Sequence, residues 1–86
     1  MIPLDSLKPG EEAIIRSFEG NTSANDYLME MGLMIETPVK LIKFAPMGDP
    51  IEICFRNYHL SIRRSEAKFI LVEKVDNKNN GRANNN

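Results

Sequence analysis

Ile51-Glu52-Ile53-Cys54-Phe55-Arg56, then Asn57-Tyr58, then His59-Leu60-Ser61-Ile62-Arg63 is the stretch that decides the fold. Apolar and polar residues alternate across the first six positions, the period-2 signature of a strand buried on one face: Ile51, Ile53 and Phe55 inward, Glu52, Cys54 and Arg56 outward. The return segment repeats the pattern with Leu60 and Ile62 inward. Asn57 tolerates the positive φ of a tight hairpin, so Asn57-Tyr58 is expected as a two-residue connection. In that register position 54 lies opposite 61 and position 59 opposite 56. Cys54 and His59 then share the outer face as diagonal neighbours, about 7–8 Å apart at Cβ.

Working outward, Pro9-Gly10 suits a type II turn, since proline presets φ and glycine accepts a positive one. Glu11 to Phe18 reads as a strand with Ala13, Ile15 and Phe18 on one side, closed by Gly20-Asn21. Thr22 or Ser23 can cap a helix, and Ser23 with Asp26 has capping-box spacing. Ala24, Tyr27, Leu28 and Met31 recur at helical spacing and are expected on the core face, leaving Met29 and Glu30 outside. Gly32 stops the helix as a left-handed residue, and Leu33 folds back on the last turn. Pro38 opens another strand, with Val39, Leu41 and Lys43 facing one way and Lys40, Ile42 and Phe44 the other. Pro46 to Pro50 is a turn, Arg64 to Ala67 a single helical turn, and Phe69 to Val75 the last strand.

About five short strands with one helix between the first and second predict a mainly β chain closed into a small barrel, which would remove exposed edges. Residues 1–75 form the expected domain. Residues 76–86 are Asn-rich and too poor in apolar side chains to offset their ordering entropy, so a disordered tail is expected there.

Totals narrow the function. Eighty-six residues with 42% hydrophobic content support one modest core, not a deep substrate cavity. A net charge of −1 lacks the footprint of a nucleic-acid binder. One cysteine permits no internal disulfide and no CxxC metal or redox motif, which fits a reducing compartment. The opening Met1-Ile2-Pro3-Leu4-Asp5 is not expected to act as a signal peptide, and Phe69 to Val72 is the longest apolar run, so no direct membrane insertion is expected.

Four local motifs occur in register: Leu4 to Glu11 with its Pro-Gly, Leu28-Met29-Glu30-Met31-Gly32-Leu33, Gly48-Asp49-Pro50-Ile51, and Leu60-Ser61-Ile62-Arg63-Arg64-Ser65-Glu66-Ala67. In that order they resemble the FeoA family. The resemblance implies an SH3-like barrel with a helical insertion. It also implies a non-enzymatic accessory of ferrous-iron uptake that docks on the cytoplasmic side of a FeoB-type transporter and promotes or regulates it. Such a protein is cytoplasmic, peripheral to the inner membrane through its partner, and needs no cofactor. Two positions depart from the family pattern: Ile35-Glu36-Thr37 stands where a Pro-Gly-Thr-like turn is usual, and Asn57 where glycine is usual. The barrel also resembles the C-terminal domain of iron-dependent repressors, but no helix-turn-helix precedes it here, so a free-standing module is expected.

Met29, Met34 and Tyr58 are the candidates for a partner-binding surface, because exposed, polarizable methionines suit adaptable contacts. Arg63 is a further interface candidate, with Glu66 and Glu73 as alternative partners for Arg63 and Arg64 inside the chain. Cys54 and His59 are the soft ligands of an alternative reading, a metal-binding carrier or sensor, or a repressor-associated module. Two ligands fall short of the three or four a secure transition-metal site needs. No phosphate-cradling GxxxxGK[ST] is present, so nucleotide chemistry belongs to a partner.

Overall fold

The alternation at 51–62 does fold as a hairpin, and the rest of the sheet is built beside it. The computed structural model describes residues 1–20 and 23–75, with side chains for all of these except 23–25. The Thr22 cap and the expected tail lie outside the described residues. Chain order is β1 (Ile2–Pro3), a 3-10 turn (Leu4–Ser6), β2 (Glu12–Phe18), α1 (Ser23–Glu30), β3 (Pro38–Phe44), β4 (Ile51–Phe55), β5 (Tyr58–Ile62), α2 (Arg64–Ala67) and β6 (Ile70–Lys74). The strands form one antiparallel six-stranded sheet in the order β1-β6-β2-β3-β4-β5. The five expected strands are present, and the two-residue β1 is added against Leu71 and Val72 of β6. Among the described residues the ladder does not close on itself, contrary to expectation: β1 and β5 are its two edges.

Inward residues of β2, β3, β4 and β6 form the core: Ala13 and Ile15, Val39 and Leu41, Ile51, Ile53 and Phe55, Ile70 and Val72, all buried. Leu4 and Leu7 close one side. Two bulges adjust the pattern. The register with β4 shifts between Leu41 and Lys43, so Phe44 lies opposite Ile51 and packs against the core while Lys43 is exposed. The strict alternation expected for Lys43 and Phe44 is therefore reversed, because a bulge inserts one residue and flips the facing of the residues beyond it. The second shift, in β2 against β6, falls between Ile15 and Ser17 and leaves Arg16 as the extra residue.

The Pro9-Gly10 turn forms as read. Gly10 has φ +91°, and the Glu11 N–H donates to the Lys8 carbonyl at 2.9 Å. The Glu11 carboxylate accepts the Lys8 N–H at 2.8 Å and meets the Lys74 ammonium at 3.0 Å.

At eight residues α1 is below the length at which an isolated helix is stable, so tertiary contacts must hold it. Its end is a Schellman motif: the Leu33 N–H donates to the Leu28 carbonyl and the Gly32 N–H to the Met29 carbonyl, each at 3.0 Å. Gly32 has φ +101°, and the motif folds Leu33 back so that Leu28 and Leu33 are both buried. The expected core face is otherwise not observed. Tyr27 is 54% exposed and Met31 38%, so Leu28 alone anchors the described side chains of the helix.

Arg64 stacks on the Phe44 ring at 5.2 Å and approaches Asp5 at 3.6 Å, while Arg63 lies 3.9 Å from Asp49. Glu73 is held by Arg16 instead of by Arg63 or Arg64. α2 thus ties the first turn of the chain to the 45–50 turn.

Gly32→Ala meets no closer neighbour than 3.7 Å, so its cost is the positive φ alone. Urea unfolding should show a loss of about 1–2 kcal/mol. The Glu11 carboxyl is held below its ordinary 4.5, first by the Lys8 N–H and then by the Lys74 side chain. A lowered carboxyl stabilises the fold above its unfolded pKa and loses that contribution as pH falls through the folded one. In thermal melts, Glu11→Gln should therefore show a shallower decline in Tm below pH 4.5 than the parent.

Candidate functional site

Three apolar residues that a chain this small would ordinarily bury follow α1 in quick succession: Met31, Met34 and Ile35, all exposed. The segment is not loose. The Thr37 N–H donates to the Met34 carbonyl at 3.0 Å, and the Thr37 hydroxyl accepts the Met34 N–H at 3.1 Å. Thr37 is buried, so this pair of bonds is shielded from water. From the sheet side, the Glu36 N–H donates to the Ile15 carbonyl at 2.7 Å and the Ile15 N–H to the Thr37 carbonyl at 3.0 Å.

Glu36 sits at φ +75°, the conformation its family-pattern glycine would adopt without strain. Its carboxylate is paired with Arg16, whose guanidinium also holds Glu73 at 2.8 Å. The Arg16 pKa is raised above its ordinary value, mainly by the hydrogen bond to Glu36 and next by that to Glu73. The bulge in β2 thus points an arginine at both carboxylates and ties the loop to β6.

From the other side the loop meets the hairpin tip. A methyl group placed on Gly32 would lie 3.8 Å from the Phe55 ring and 3.7 Å from the Arg56 guanidinium. The Phe55 ring is in turn 5.9 Å from Tyr58, which is 60% exposed. Met29, Met31, Met34, Ile35 and Tyr58 are therefore exposed apolar residues on two segments that meet at Gly32. Arg63 is placed elsewhere, at the far end of β5, about 17 Å of strand from Tyr58. Tyr27 and Met31 are misplaced on the core face because helical spacing marks an apolar stripe without saying whether the helix is long enough to lay it down, and Ile35, in the loop after α1, carries no periodic signal.

Cys54 and His59 are brought closer than expected. The hairpin turn is Arg56-Asn57, at φ +49° and +68°, one residue earlier than the sequence reading placed it. The register becomes Phe55 opposite Tyr58, Cys54 opposite His59 and Glu52 opposite Ser61, so Cys54 and His59 are direct cross-strand neighbours. The shift follows from φ: two adjacent positive values define a type I′ turn, and the strand twist favours it. His59 Nδ1 lies 2.8 Å from the Glu52 carboxylate. Among the described residues no group of three or more His, Cys, Asp or Glu side chains is placed to hold a metal ion. No helix among them is long and apolar enough to cross a membrane.

The model of the FeoA domain family matches residues 2–74. A Porphyromonas gingivalis protein described as an Fe(2+) transport protein A/Fe(2+) transporter FeoB fusion is 31% identical over 72 residues, covering 84% of this chain and 8% of its own length. A Methanocaldococcus jannaschii protein, provisionally named Fe(2+) transport protein A, is 30% identical over 76 residues, covering 88% of this chain and 90% of its own. Among solved structures, FeoA from Chlorobium tepidum superposes with a TM-score of 0.83 at 35% identity, over 87% of this chain and 71% of that one. The zinc-complexed FeoA of Stenotrophomonas maltophilia, described as a procaryotic SH3 domain protein, has a TM-score of 0.74 at 23% identity, over 85% and 91% of the two chains, a likeness of fold alone.

Thr37→Val keeps the shape of the buried side chain and removes the acceptor of the Met34 N–H. Stability should fall by about 1–3 kcal/mol, and hydrogen exchange at the Met34 amide should speed up more than at the β2 amides.

Proposed function

This chain belongs to the FeoA family, and from that membership we propose that it is a non-enzymatic accessory of ferrous-iron uptake that docks on a FeoB-type transporter through the apolar surface around Gly32. The observation that carries the reading is the Porphyromonas relative in which a transport protein A and a FeoB transporter are one polypeptide. Fusion holds a binding module at high effective concentration beside its target, which has value when the two act together. The present chain spans 8% of that relative's length.

The surface suits the task. Methionines adapt to a partner's contour at small cost, and tyrosine adds a rigid, amphipathic contact. The segment carrying them is anchored through Thr37, Ile15 and the Arg16 pairs, so little ordering entropy remains to be lost on binding. The partner's own span would bring the domain to the cytoplasmic side of the membrane, and GTP chemistry would remain with the transporter. Arg63 would contribute only if the interface extends along β5.

The test is binding of the purified chain to the FeoB of the same organism, with and without GTP. Saturable binding is expected, and nucleotide dependence would assign the contact to the GTPase domain. Met29→Asp and Met34→Asp change exposed side chains, so unfolding free energies should stay within about 0.5 kcal/mol of the parent. Affinity should fall roughly tenfold or more in each. Full affinity in both folded variants would move the interface off this surface, and no binding by the parent would remove the transporter reading. The alternative metal role for Cys54 and His59 requires saturable Fe(II) or Zn(II) binding that is lost in Cys54→Ser and His59→Ala.

A further inference from the structure

β5 is an edge of the sheet, and it carries none of the usual devices against pairing. Tyr58–Ile62 contains no proline, no lysine and no bulge, and its register with β4 is unbroken over all five residues. Tyr58, His59 and Ser61 are exposed, and among the described residues no strand covers the outer side of β5.

Which backbone groups are free is set by the turn. In a two-residue hairpin the residues flanking the turn exchange both their hydrogen bonds, and bonded and non-bonded pairs then alternate. Here the flanking pair is Phe55 and Tyr58, so Tyr58, Leu60 and Ile62 bond toward β4. The N–H and C=O groups of His59 and Ser61 point away from the sheet.

We propose that β5 pairs with β5 of a second copy of this chain, antiparallel about a two-fold axis through Leu60. Outward groups must oppose outward groups, and this register sets His59 of each copy opposite Ser61 of the other. The strand is self-complementary there: four hydrogen bonds form, two from each such pair. Leu60 opposes Leu60, and Tyr58 opposes Ile62. The charges permit the approach, since Arg63 is set opposite Asn57 and the facing outer side chains are Ser61 and His59, so no like charges are directly opposed. An isologous contact of this kind closes as a dimer and does not propagate. Its area is that of one short strand, well under the roughly 1,200 Å² of a standard stable interface, so the association is weak and reversible.

Sedimentation equilibrium of the full chain, from micromolar to about millimolar, reads the proposal directly. The weight-average mass should rise toward twice the monomer value. Ser61→Pro deletes an outward N–H without removing a bond to β4, and proline is tolerated at such an edge position. It should weaken self-association roughly ten- to hundredfold, because two symmetry-related bonds are lost, with the circular dichroism spectrum retained. In a Cys54→Ser background, Leu60→Cys should form a disulfide-linked dimer on mild oxidation, since the two-fold places these residues at a non-hydrogen-bonded pair. A parent that stays monomeric to millimolar concentration overturns the proposal, and so does a dimer that folded Ser61→Pro leaves unchanged. A monomeric parent whose transporter binding is lost in Ser61→Pro would assign the edge to a strand of the partner and overturn self-pairing. Failure of transporter binding alone would not touch this proposal, which rests on β5 and not on the surface around Gly32.

Discussion

The arrangement depends on the bulge at Arg16. β2 is the strand through which the two halves of the sheet communicate: Glu12 to Ile14 pair with β3, and Ala13 to Phe18 pair with β6. The Ile15 N–H and C=O bond Thr37 and Glu36 in step with the β3 pairs, so that ladder runs on into the loop after α1, while the extra residue in β2 shifts its pairing with β6. The same extra residue carries a guanidinium long enough to reach Glu36 on one side and Glu73 on the other. The ladder thus holds the backbone of the loop, and the side chain at the bulge links that loop to β6.

Given that constraint, the exposed methionines are a consequence of how little helix there is. α1 has about two turns, and its described side chains reach the core through Leu28, with Leu33 supplied by the Schellman turn. Burying two leucines contributes about 3–6 kcal/mol, enough to hold a short helix whose intrinsic stability is near zero. A longer helix would bury more and leave nothing to present. The structure holds the backbone of this segment firmly through hydrogen bonds while leaving its apolar side chains outside, a combination that favours binding over core formation.

Much of this was legible in the residues. The alternation at 51–62, the Pro9-Gly10 turn and the Gly32 stop are each local signals whose physics does not depend on the rest of the chain, and each formed as read. What failed was non-local. The Leu41–Lys43 bulge leaves no mark in composition, because Lys43 and Phe44 satisfy an alternating pattern in either facing. The hairpin moved by one residue because Arg56 takes a positive φ, which arginine rarely does and which the strand twist imposes. That small shift turned Cys54 and His59 from diagonal into direct neighbours. Of the exposed apolar residues, Met29, Met34 and Tyr58 are legible in the sequence, while the exposure of Tyr27 and Met31 depends on the length of the helix and Ile35, in the loop after it, carries no periodic signal.

The open ladder bears on function more than a closed one would. A barrel sealed by its own hydrogen bonds could contact a partner only through side chains and loops. This sheet keeps β5 with outward backbone groups at His59 and Ser61, and the surface around Gly32 begins where β5 begins, at Tyr58. The two proposed contacts, side-chain contact at the hairpin tip and main-chain pairing along the strand, therefore adjoin and differ in their physics. With a second copy paired along β5, the tip of each subunit would stand at an end of the seam, since main-chain register allows steps of two residues only and the two-fold through Leu60 selects one of them. An edge of this kind adds direction to what side-chain contacts select.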